Sequence, residues 1–82
     1  MILTILYFAA VRDLVGKDEE LISLPPEVTN IAELARFLSK HHPALEGRLQ
    51  SVRFARNEVF SGDEERLSAG DVIALIPPVA GG

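Results

Sequence analysis

Apolar residues occupy two alternating registers over residues 2–8, with Leu3, Ile5 and Tyr7 on one side and Ile2, Thr4, Leu6 and Phe8 on the other. β-Branched and aromatic side chains favour an extended chain there. Since both sides are largely apolar, the pattern predicts a central strand, one face on the core and the other partly covered or used for binding. Val11, Leu14 and Val15 then fall at helical spacing, and Gly16 is placed to end a short helix over residues 9–15. Residues 20–24 read as a second strand closed by Pro25 and Pro26. Ile31, Leu34, Ala35 and Leu38 stand at i, i+3, i+4 and i+7, which predicts the main helix. Thr29 or Asn30 caps it, Asn30 with Glu33 resembles a capping box, and Pro43 stops it. Residues 52–55 and 58–60 are expected as short strands around a turn at Arg56-Asn57, followed by a polar loop over 61–65. Ala69-Gly70-Asp71 reads as a turn, and 72–76 is a continuous apolar run of strand length. The order β, short α, β, α, β, β, β gives an α+β fold of two layers, one helix across a mixed sheet of about five strands. The first and last strands, apolar on both sides, belong together in the sheet centre.

Length narrows the functional classes. A chain of 82 residues forms a single domain and buries only about 60% of its unfolded surface. A deep cleft with its own catalytic constellation is hard to build on that frame, so a partner that supplies the pocket is the simpler expectation. Twelve carboxylates against eight Lys and Arg give a net charge of −4, which argues against a nucleic-acid footprint. The absence of cysteine removes disulfides, thiolate metal sites and a thiol nucleophile together. The apolar start is interrupted by Arg12-Asp13 and is too short for a membrane span. With no targeting signal read, the cytoplasm is the expected compartment.

The tail carries the sharpest chemistry. Pro77-Pro78-Val79-Ala80-Gly81-Gly82 follows the last strand directly and loses side-chain bulk step by step. Two terminal glycines have chance odds of roughly one in 200. The prolines end the ladder and stiffen the exit, while Gly81 and Gly82 fit a narrow channel because they lack Cβ atoms. The flexible segment 77–82 therefore reads as a thin probe whose one chemical group is the α-carboxylate of Gly82. A carboxylate is a poor electrophile, so it needs activation, usually by adenylation. The acyl-adenylate is then open to a sulfur or an amine nucleophile. Those outcomes are a thiocarboxylate carrier and a protein conjugated to lysines.

Other constellations carry less. Adjacent helical residues point about 100° apart, so His41 and His42 are not expected to converge on a metal, and no metal site is assigned. The acidic runs Asp18-Glu19-Glu20 and Asp63-Glu64-Glu65 lack cation-loop spacing and read as solvated loops. Glycine-rich phosphate loops are absent, so the chain is not expected to bind ATP or another cofactor tightly; if its tail is adenylated, a partner consumes the ATP. The second apolar face of the sheet, with Leu6, Phe8, Val72, Ala74 and Ile76, is left for protein binding unless residues 9–15 fold over it.

The run Tyr7-Phe8-Ala9-Ala10-Val11-Arg12-Asp13-Leu14-Val15-Gly16, then Asn57, then the run from Leu67 through Asp71 to Gly82 carry a family likeness. Together they resemble the small sulfur-carrier subunits of molybdopterin synthase, in the β-grasp, ubiquitin-like superfamily. The resemblance implies a β-grasp fold and a chain that is non-catalytic alone. It implies that an adenylyltransferase partner activates Gly82 and a sulfur donor protein converts the adenylate to a thiocarboxylate. The tail, Pro77, Pro78, Val79, Ala80 and Gly81, then enters the synthase large subunit. Sulfur passes there to cyclic pyranopterin monophosphate, within a heterotetramer of two small and two large subunits. Phe8, Phe60 and Ile76 are the implied apolar anchors for either partner. A thiamine-type sulfur carrier and a ubiquitin-like modifier are the rival members of the superfamily.

Overall fold

The computed structural model describes residues 1–78. The expectations for Val79, Ala80, Gly81 and Gly82 concern residues outside those described. Strand β1 is Ile2–Tyr7, helix α1 Ala9–Val15, β2 Glu19–Ser23, helix α2 Ile31–His41, β3 Arg53–Arg56, β4 Val59–Ser61 and β5 Val72–Ile76. Single 3-10 turns at Pro43–Leu45 and Leu49–Ser51 join α2 to β3, a detail that no periodicity announced.

The sheet order is β2-β1-β5-β3-β4. β1 pairs parallel with β5 and antiparallel with β2, and β3 pairs antiparallel with both β4 and β5. The expected central pair is therefore present, and its register sorts the side chains. Ile5 opposes Ile73 and Tyr7 opposes Leu75, all four at most 1% exposed beneath the helices. Thr4, Leu6, Val72, Ala74 and Ile76 alternate onto the other face.

Helix α2 buries Ile31, Leu34 and Leu38 against that core. Its start is held twice. Asn30 Oδ1 accepts the Glu33 N–H at 2.9 Å, and Glu33 Oε1 accepts from the N–H and the hydroxyl of Thr29, both at 2.8 Å. These bonds satisfy donors that a helix start otherwise leaves without partners. Helix α1 lies on the same side of the sheet: Val11 is buried in the core cluster that also contains Leu45. Gly16, at φ +87°, closes α1 with its N–H on the Arg12 carbonyl. Among the described residues, therefore, no helix lies over the second sheet face.

Two expectations shift. The β3–β4 turn falls one residue later than Arg56-Asn57. Arg56 pairs with Val59, leaving Asn57 (φ 50°) and Glu58 (φ 71°) as a two-residue loop with both centres left-handed. Asn tolerates that conformation, and Glu58 is held in it against its preference. The acidic run Asp18-Glu19-Glu20 is not a solvated loop either. Glu19 and Glu20 belong to β2, and the Glu20 side chain is only 13% exposed.

Candidate functional site

The last described residues, Pro77 and Pro78, leave from the end of β5, a strand paired on both sides. The root of the tail is consequently anchored in the sheet centre. A staple fixes the opposite end of the same strand. Asp71, 6% exposed, accepts from Arg56 Nε at 2.6 Å, Asn57 Nδ2 at 3.0 Å and the Ser68 N–H at 2.7 Å. Asn57 Oδ1 in turn accepts the Val72 N–H at 2.9 Å. Burial alone would raise the Asp71 pKa, but the bonds from Arg56, Asn57 and Ser68 prevail and hold it below 3.8. The sequence marked Asp71 only as a turn; its role depends on a hairpin fourteen residues upstream.

On the open face, Phe8, Phe60 and Ile76 lie close together. They border a shallow depression of about 250 Å³ with Leu6, Ala55 and Ala74 also lining it. Register explains the hollow: Ala74 sits between Leu6 on one neighbour and Ala55 on the other, so small side chains lie between larger ones. Phe8 is 44% and Phe60 54% exposed, a large apolar area for so small a domain. The Arg53 guanidinium lies 3.9 Å from the Phe60 ring centroid and braces it by a cation–π contact. Ile76 is both the border of this depression and the residue before Pro77. The surface therefore runs directly into Pro77 and Pro78, the root of the tail.

On the helix side, the expected divergence of His41 and His42 does not occur. His42 caps α2 with extended angles, φ −125° and ψ 91°, so the helical rotation between neighbours no longer applies. His42 Nε2 lies 2.7 Å from Glu20 Oε1 and His41 Nε2 3.5 Å from Glu20 Oε2. Tyr7 donates its hydroxyl to Glu20 Oε1 at 2.8 Å. Burial would raise the Glu20 pKa, yet the bonds from His42 and Tyr7, the charge of His42 and the contact with Lys17 bring it from 4.5 to about 2. Burial, with the Glu20 bond and charge, pushes the Tyr7 phenol upward.

Against this geometry, the pattern of the ThiS family matches residues 5–82. The chain belongs to the ThiS family. Among its relatives, it is 38% identical over 80 residues to the molybdopterin synthase sulfur carrier subunit of Dictyostelium discoideum, spanning 95% of this chain and 93% of that one. Its fold matches SAMP1 from Haloferax volcanii with a TM-score of 0.87 at 26% identity over 100% of both chains. It also matches a chain of the complex of subunits 1 and 2 of molybdopterin-converting factor from Helicobacter pylori 26695, with a TM-score of 0.70 at 25% identity over 100% of both chains. The ThiS-family chain is thus a β-grasp domain, as the resemblance implied. Among the described residues, no helix is long and apolar enough to cross a membrane.

Proposed function

We propose that this chain is the sulfur-carrier subunit of a molybdopterin synthase, working through the carboxylate of Gly82. The observation that carries the proposal is the continuity between the open apolar face and the root of the tail at Ile76-Pro77. A partner that buries Phe8, Phe60 and Ile76 simultaneously takes hold of the segment that leads to Gly82. The synthase large subunit is the principal partner, in keeping with the two-subunit complex of the Helicobacter pylori relative.

The chemistry follows from a terminal carboxylate. A partner adenylyltransferase lets a Gly82 oxygen attack the α-phosphorus of ATP, releasing pyrophosphate and leaving a glycyl adenylate. A sulfur donor protein supplies sulfide-level sulfur to the acyl carbon, AMP departs, and a thiocarboxylate remains. Sulfur is a soft nucleophile and the thiocarboxylate is ionised at neutral pH, so it reacts without a base on this chain. The large subunit then receives the sulfur for cyclic pyranopterin monophosphate, and two carrier turnovers complete one dithiolene. Asn57, Asp71 and Arg56 act at a distance by holding β5, which presents the tail. Names among the relatives favour the molybdopterin pathway over the thiamine one. The likeness to SAMP1 keeps a protein modifier as the second reading.

The test is intact mass after incubation with ATP, a sulfur source and the cognate adenylating enzyme. One oxygen-to-sulfur exchange at Gly82 is expected, and deletion of Gly81 and Gly82 abolishes both the exchange and pterin sulfuration. Pterin sulfuration that survives the deletion overturns the proposal. Isopeptide remnants on many lysines, without the mass exchange, establish the modifier instead.

A further inference from the structure

Glu20, His41 and His42 lie away from the docking face, on the helix side of β2, and the tail chemistry leaves them without a task. Their candidate donor atoms, one carboxylate oxygen and two imidazole nitrogens, all fall within 4.8 Å of one another. Donors about 2.0–2.2 Å from a tetrahedral zinc ion stand roughly 3.3–3.6 Å apart. Small side-chain adjustments therefore close this set on an ion. We propose that Glu20, His41 and His42 form a binding site for a first-row transition-metal ion, Zn²⁺ being the representative, with a fourth position left to water.

Three observations support a ligand set over a chance cluster of polar groups. The donors come from separate elements, the edge strand β2 and the end of α2, and the turn of the backbone at His42 aims both rings at one carboxylate. The rings are also supported: Phe37 stacks on His41 with centroids 5.7 Å apart, and Tyr7 meets His42 edge-on at 5.8 Å. Finally, the Tyr7 hydroxyl holds Glu20 Oε1 at 2.8 Å, the kind of outer contact that orients a ligating carboxylate. Two imidazoles with one carboxylate suit zinc, nickel or copper and disfavour calcium or magnesium, which take oxygen donors.

Binding rearranges little. Each imidazole offers Nε2 as a lone pair once its proton resides on Nδ1, and the ion replaces the hydrogen bond that joins His42 to Glu20. Lys17 Nζ, 3.4 Å from Glu20 Oε2, is the competing cation, and its side chain is 49% exposed, free to turn to solvent. The bound ion ties the β2 edge to the C-terminal end of α2, reinforcing the 2.7 Å contact of His42 and the 3.5 Å contact of His41 with Glu20.

The chain has only two histidines, which makes the experiment clean. The full-length protein is titrated with Zn²⁺ and the imidazole resonances are followed by NMR. One ion per chain is expected, moving both rings together. His41→Ala, at a half-exposed position, and Glu20→Gln, a neutral isostere, each weaken Zn²⁺ binding at least tenfold while the metal-free variants stay folded by circular dichroism. Zn²⁺ at a hundred times its Kd raises Tm by about 10–20 °C. A titration that shifts neither ring or only one overturns the proposal, as does an affinity unchanged in both variants.

Discussion

Replacing Phe60 by alanine separates docking from folding. A phenylalanine side chain buries about 150–250 Å² when fully covered. Phe60 is 54% exposed in the free chain, so roughly 110 Å² remains for a partner to cover. At about 25 cal/mol per Å², that area is worth close to 2–3 kcal/mol of docking. The expected result is a Kd for the large subunit raised roughly 30- to 150-fold. Folding changes much less, because the ring is more than half exposed and its contact with Arg53, 3.9 Å from its centroid, is worth about 0.5–1 kcal/mol at an exposed site. Titration calorimetry with the large subunit measures the first quantity, and thermal unfolding of the isolated chain measures the second. A Kd within threefold of the parent refutes the assignment of this face. A Tm loss as large as that of a core truncation shows instead that Phe60 is part of the core.

Two other outcomes follow from the core and the Glu20 cluster. Leu38, fully buried on the core face of α2, costs about 2–5 kcal/mol when truncated to alanine, lowering Tm in a thermal melt by at least about 10 °C. Glu20 has its pKa lowered from 4.5 to about 2 on folding, so the unfolded chain binds the extra proton between those values. Its contribution to stability is complete above pH 4.5 and is lost as pH falls through about 2, and Asp71, also lowered, acts in the same direction. Tm measured against pH should fall across that window and fall less steeply in Glu20→Gln; parallel curves for parent and variant refute the coupling.

Much of the architecture was legible because it repeats along the chain. The doubled alternation in β1 announced a central strand, and the spacing of Ile31, Leu34 and Leu38 announced the helix that covers one face. The neighbours of those buried residues on the open face, exposed Phe8 and half-buried Ile76, followed from the same period-two geometry, so a second apolar face was readable before any coordinates. The proposed tail chemistry has a different basis: it rests on composition and on a place after two prolines, neither of which needs a fold.

What escaped the sequence depends on residues far apart or on a single dihedral angle. Asp71 looked like one turn residue until β3 and β5 paired and brought Arg56 and Asn57 to it. His41 and His42 diverge on any ideal helix, and they meet only because the backbone leaves the helix at His42 and packs beside Glu20 on another strand. Local periodicity determines which face of an element is apolar, since that depends on one rise and one rotation per residue. Which polar groups meet across elements is decided by strand register, chain exits and side-chain packing, and those exist only once the whole chain has closed on its core.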